Sequence, residues 1–176
     1  MTVEIPEEHK VENLKLNAEA YVDLFHIAMR NGVDLFIKNG DSVVWNYDPE
    51  IQQDITWQSF PITFSGYEVK SDGQMSRPTL QVVNPAGVWS PLVVQKDETY
   101  GFRPLEKAIL YRYRVLRRDI DANRPIYQRM RWIIWNCTSI TKDYMVFECR
   151  NPMDGNNFYI PARQFMPPEF PIVDIK

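Results

Sequence analysis

Two Asn-Gly pairs, Asn31-Gly32 and Asn39-Gly40, interrupt the early stretch YVDLFHIAMRNGVDLFIKNGDSVVWNY, and each is flanked by apolar or β-branched residues. Both residue types tolerate positive φ, which the tight primed turns of β-hairpins require. The stretch reads as three short strands in a meander. A second period runs through the same region. Val11, Leu14, Ala18, Tyr21, Phe25, Ala28 and Met29 also fit one face of a helix, with Glu12, Glu19 and Asp23 largely opposite. A strand over residues 20–30 is preferred because a hairpin turn follows at once; helix against strand stays open for residues 11–29.

Farther along, ITWQSFPITFSGYEVKS and RPTLQVVN read as strands around a turn at Asp72-Gly73, with Pro78 opening the return strand where its missing N–H does least harm. AILYRYRVLRRD alternates, with Ile109, Tyr111, Tyr113 and Val115 on one face and Arg112, Arg114 and Leu116 on the other. Period two wins because a helical face through Leu105, Ile109 and Leu116 would include Arg112. A second long strand is expected over Ile126 to Cys137, turned by Thr141 to Asp143 into YMVFECR. The tail YIPARQFMPPEFPIVDIK has prolines at 161, 167, 168 and 171 and reads as an extended arm.

The expected fold is mainly β: small antiparallel β-domains, barrel- or sandwich-like, between extended arms. Residues 1–19 form the N-terminal arm, 20–165 the β-rich region, with a split into two subdomains near 90–105 left open, and 166–176 the Pro-rich arm. A chain of 176 residues, 44% hydrophobic and with five Trp and nine Tyr, has enough large side chains for a core. Thirteen prolines against seven glycines point to Pro-bounded, extended connections. The start, MTVEIPEEHK, has neither a basic n-region nor an apolar h-region, and no apolar run approaches the roughly 20 residues of a membrane helix. A soluble protein made in cytoplasm, without a membrane partner, is the expectation.

The net charge of −3 conceals a polarity. Residues 1–60 hold 4 basic and 11 acidic side chains, whereas residues 103–131 hold 9 basic and 3 acidic. Such an arrangement points to self-complementary surfaces or to an oriented patch facing a partner. The basic strand YRYRVLRR supplies the candidate interface residues Arg112, Arg114, Arg117 and Arg118, which are expected to meet an acidic partner surface. The same strand raises an alternative, a nucleic-acid-binding β module in which arginines neutralise phosphate and tyrosines stack on bases. The acidic first 60 residues argue against specific nucleic-acid binding. A sugar- or host-surface-binding module, suggested by the five tryptophans, is a third reading.

No motif supplies chemistry. His9 and His26 are the only histidines, and neither Cys-x-x-Cys nor His-Glu-x-x-His is present. Gly-x-Ser-x-Gly, a P-loop and Gly-x-Gly-x-x-Gly are likewise missing. Asp119 and Asp121 form a carboxylate pair that reads as solvated turn residues. The chain is expected not to be an enzyme, with no catalytic residue and no metal site. Cys137 and Cys149 have no metal-ligand spacing and would pair only in an oxidising compartment.

One resemblance covers most of the chain, from about Tyr21 to Phe165. The VVW and TWQ strands, FPI ahead of GYE, a short Gly turn and above all S-R-P-T-L-x-V-x-N at Ser76 to Asn84 resemble the minor tail protein L family of long-tailed bacteriophages, the lambda-like tail-tip proteins. AILYRYRVLRRD falls where that family has an Arg-rich strand, and WNCTSITKDYMVFECRNPMDGNNFYIPARQF resembles its next hairpin and its apolar-Pro-x-Arg segment. The resemblance marks Gly66, Ser76, Arg77, Pro78, Leu80 and Asn84 as structural motif residues. It implies a non-enzymatic structural component of the tail tip or baseplate, between the ring that ends the tail tube and the central hub or fibre protein. It further implies assembly as a trimer with other tail-tip proteins, in host cytoplasm, into the virion. The family typically adds a Cys-rich domain with an iron–sulfur cluster. Here MPPEFPIVDIK follows instead, and Cys137 and Cys149 lie in predicted strands, so no cofactor is expected. Pro167, Pro168 and Phe170 are expected to form an inter-subunit clasp, since proline-restrained chain is ordered at low entropic cost.

Overall fold

A computed structural model describes residues 5–15, 19–48, 50, 54–67 and 77–152. In chain order its elements are α1 (Glu7–Asn13), β1 (Tyr21–Ala28), β2 (Asp34–Lys38), β3 (Val43–Val44), β4 (Thr56–Ser59), β5 (Ile62–Ser65), β6 (Thr79–Val83), α2 (Ser90–Val94), β7 (Ile109–Leu116), α3 (Arg117–Asp121), β8 (Gln128–Ile140) and β9 (Tyr144–Arg150). All nine strands join one sheet in the order β3-β4-β2-β1-β7-β8-β9-β6-β5. The chain is mainly β, and strands from both sides of residues 90–105 belong to the same sheet.

The competing periods near the start resolve into one of each element. Tyr21 to Ala28 is strand, and a short helix precedes it. That helix does not bury the apolar stripe, for Val11 is 57% and Leu14 87% exposed while His9 and Glu12 are buried. Asn31-Gly32 makes the expected hairpin. Gly32 takes φ +82°, and the Met29 N–H donates to the Val33 carbonyl at 2.9 Å. Asn39-Gly40 also turns the chain, with Gly40 at φ +74°, but no meander follows. β3 pairs with β4, and β4 runs parallel to β2. The physical reason is local: the Asn39 carboxamide binds both backbone groups of Ile62, and the Lys38 ammonium donates to the carbonyls of Asn39 and Asp41 at 2.9 and 2.7 Å. The turn is thus pinned to β5.

The single strand expected over residues 55–71 is broken at Phe60-Pro61 into β4 and β5. Phe60 N–H still donates to the Lys38 carbonyl beside β2, at 2.8 Å, whereas the Pro61 carbonyl accepts from Val83 of β6 at 3.2 Å. Proline has no N–H with which to continue the first pairing, so it marks the corner where the chain changes neighbours. β4 lies near one end of the strand order and β5 is the other end, so this corner brings the two ends together and curls the sheet around one core. Phe25, Ile37, Ile62, Leu80, Leu110 and Phe147, from six different strands, meet inside it. The turn expected at Asp72-Gly73 lies outside the described residues.

Alternation along β1 and β7 gives the sheet a second buried face. Leu24 stands opposite Tyr113 and Val22 opposite Val115. Trp45 and Trp57, carried by the excursion after Asn39, close over them. Trp57 Nε1–H donates to the Trp45 carbonyl at 2.8 Å, and Trp45 Nε1–H to the Arg124 carbonyl at 2.9 Å, so both fully buried indoles have acceptors. Tyr113 lies edge-on to both indole rings. β7 stops at Leu116, so Arg117 and Arg118 are helical rather than part of the long strand expected from the sequence. The turn expected at Thr141 to Asp143 is present, and Thr141 exchanges hydrogen bonds with Tyr144 across it.

Candidate assembly interface

The arginines of β7 and α3 are engaged within the chain. Arg112 is buried, its Nη2 donating to Asp23 at 2.7 Å and to the Tyr67 hydroxyl at 3.3 Å, with its guanidinium 4.2 Å from the Tyr67 ring centre. Burial opposes its charge, but Asp23 and Tyr67 outweigh that and raise its pKa. Register explains the pairing, because β1 sets Phe25 opposite Arg112 and Asp23 opposite Arg114 on the same face. Arg114 lies 3.5 Å from Asp23 and over the Tyr21 ring. Arg117 is exposed and pairs with Asp121 one turn on, at 3.2 Å.

Arg118 holds the N-terminal helix. Its guanidinium lies 3.2 Å from Glu12, 3.6 Å from Glu8 and 3.7 Å from Glu19, and its own N–H donates to Glu19 at 2.7 Å. Hydrogen bonds from Lys15 and from the Glu19 N–H hold the Glu12 carboxyl below the usual range. Arg124 pairs with the fully buried Asp119 beneath this cluster. His9 packs edge-on against Tyr21, and burial holds its imidazole below the ordinary value despite the attraction of Asp119 and Glu8. The acidic start and basic middle of the sequence therefore neutralise one another inside one chain. Arg112 and Arg118 thus already have acidic partners within the chain, and of the four arginines Arg117 is the most exposed. The Arg/Tyr alternation of β7 is not an open surface either, since Tyr113 is buried with Arg112.

Several exposed apolar side chains lie toward the other end of the sheet, on both of its faces. Val83 stands opposite Tyr144 in the β6–β9 ladder, and both side chains are exposed, as are Val88, Val94, Trp135 and Ile140. Asn84 organises this end. Its Oδ1 accepts from the Trp89 N–H at 3.0 Å, and its Nδ2 donates to Ser90 Oγ and to the Thr141 carbonyl, both at 3.1 Å. Its backbone N–H donates to the Asp143 carbonyl at 2.8 Å. One buried carboxamide thus ties the end of β6, the start of α2 and the β8–β9 turn. Between α2 and the far half of β8 runs a groove of about 260 Å³, lined by Val94, Leu105, Trp135, Cys137, Ile140 and Phe147 among others.

The family model described as phage minor tail protein L matches residues 32–169. This chain belongs to the phage minor tail protein L family. It is accordingly a structural protein of a phage tail and a component of the virion. Among curated proteins, none matches the chain.

The motif positions of this tail protein can be read on its fold. Gly66 takes φ +76°, a left-handed conformation that favours glycine, whereas a Cβ there would meet the Pro78 backbone only at ordinary contact distance, 3.6 Å. The Pro78 carbonyl accepts from Cys149 at 2.8 Å and starts the β6–β9 ladder. Leu80 and Val82 point into the core, and Asn84 forms the corner. Arg77 is exposed, and Ser76 lies outside the described residues, as do Pro167, Pro168 and Phe170. Of the string, Pro78, Leu80, Val82 and Asn84 thus hold the β6–β9 ladder, the core and the corner. Trp135, Ile140 and Tyr144 escaped the sequence reading; the signal for them was apolar side chains crowding the turn in WNCTSITKDY.

The two cysteines of the tail protein do not fit an iron–sulfur cluster. Register sets Cys137 opposite Phe147 and Cys149 opposite Ile134, not opposite each other. Cys149 is fully buried, and burial pushes its thiol up to about 12, whereas a cluster needs thiolates, usually four. Among the described residues, no three His, Cys, Asp or Glu side chains are grouped to hold a metal ion.

Proposed function

We propose that this tail protein sits at the tail tip, where it links the distal end of the tail tube to the central hub or fibre protein as one subunit of a trimer about the tail axis. The observation that carries the reading is the groove beside α2, whose lining includes the exposed apolar side chains Val94, Trp135 and Ile140. Apolar surface grouped in this way marks a protein-binding site. Asn84 supports it with fixed hydrogen bonds, so the surface is rigid before it meets a partner, which lowers the ordering cost of assembly. Residues 166–176, with Pro167, Pro168 and Phe170, act as an arm that clasps an adjacent subunit. On this reading the protein needs no cofactor and works by shape.

The test is light scattering on the purified protein, alone and mixed with the tail proteins encoded beside it. A trimer, formed alone or only with those partners, supports the proposal. A monomer that ignores every tail protein overturns it. Removing residues 166–176 is expected to block assembly while leaving the unfolding transition in place, and unchanged assembly refutes the arm.

A further inference from the structure

β8 is longer than the strand beside it. β7 pairs with β8 up to Ile133, and Ile134 then exchanges backbone hydrogen bonds of 2.9 Å with Lys107 and Ala108. From Asn136 to Ile140, no strand among the described residues pairs with β8 on the side away from β9. An edge of this kind is a template for an added strand, with the backbone supplying affinity and alternate side chains supplying specificity. The groove beside α2 runs along this edge, with Val94, Leu105, Cys137 and Ile140 in its lining.

The chain itself carries a segment suited to that seat. Residues 153–176 follow β9 and lie outside the described residues, and they include FPIVDIK, in which the β-branched Ile172, Val173 and Ile175 follow the last proline. The apolar side chains of FPIVDIK suit the apolar part of the groove, and its Asp174 and Lys176 suit Arg103 and Glu106 of the lining. We propose that residues 170–176 of a neighbouring copy add as a strand along Asn136 to Ile140 and fill this groove. The proposal rests on reading residues 166–176 as an inter-subunit arm. Arms passed head to tail in this manner close a ring.

Cys137 lies in the groove lining, so the full-length chain carries its own reporter. Single cysteines are placed in turn at Ile172, Val173 and Ile175, and the assembled protein is treated with diamide, which takes up the electrons and protons released as the thiols join. The expected product is a disulfide to Cys137 between chains, seen as cross-linked oligomers on a non-reducing gel. It should be strongest at Val173 and Ile175, which share one face of a strand, or at Ile172 alone, and should vanish with Cys137→Ser. The fully buried Cys149 does not compete. A disulfide only within one chain, equal cross-linking at all three positions, or none through Cys137 overturns the proposal. If deletion of residues 166–176 blocks assembly while Cys137 never cross-links, the arm stands and this seat falls; if deletion leaves assembly intact, the arm itself has failed.

Discussion

Asn84→Ala is the sharpest probe of the corner that carries the apolar surface. The substitution removes three side-chain hydrogen bonds, to the Trp89 N–H, Ser90 Oγ and the Thr141 carbonyl, at a site 1% exposed. Each is worth about 1 kcal/mol net, and a buried group left unpaired costs about 1–3 kcal/mol, so the expected loss is ~3 kcal/mol. For a chain of this length that lowers the Tm by roughly 6–12 °C. In urea the midpoint should fall by roughly 1–2 M with the slope unchanged, because the surface exposed on unfolding stays the same. Gln81→Ala, three residues back on the exposed face of β6, is the control and should cost less than ~0.5 kcal/mol. If Asn84→Ala costs no more than that control, the hydrogen bonds drawn from Asn84 do not hold the β6–α2–β9 corner, and the account of the motif is wrong. Its assembly should also weaken more than its stability alone explains, since α2 is one wall of the groove.

Three further outcomes are expected. Arg112→Met strands Asp23 and should cost about 2–3 kcal/mol, below the value for a wholly buried pair because Asp23 is 34% exposed. Adding Asp23→Asn should recover part of the loss, and a double-mutant cycle with no coupling refutes the pairing. His9 titrates lower in the folded chain than its ordinary 6.5, so the unfolded chain binds the proton first. Its contribution is complete above about pH 6.5 and declines as pH falls below that value toward the folded pKa; urea midpoints at pH 7.5 and 5.5 should therefore differ less in His9→Phe than in the parent. Cys149, its thiol pushed up to about 12 by burial, should resist iodoacetamide in the folded protein while Cys137 reacts first, as peptide mass spectrometry would show. Equal labelling of both cysteines without unfolding contradicts the placement of Cys149 in the core.

Much of this protein is local and was legible in its residues. The Asn31-Gly32 hairpin, the two-residue period of β7 and the turn at Thr141 to Asp143 follow from φ preference and alternation, which act within a few residues. So did the strand character of Tyr21 to Ala28 and the family string ending at Asn84. The charge polarity was equally visible, but its meaning was not. Whether Arg112 faces a partner or Asp23 depends on the β1–β7 register, which pairs residues far apart in sequence. Tertiary structure also decided that Pro61 closes the sheet, that β3 joins β4 rather than β2, and that Trp135, Ile140 and Tyr144 remain exposed. An apolar side chain reads the same in sequence whether it is bound for the core or for a partner. Only the packing around it, here a sheet curled until its far edge of β8 stands open, separates the two.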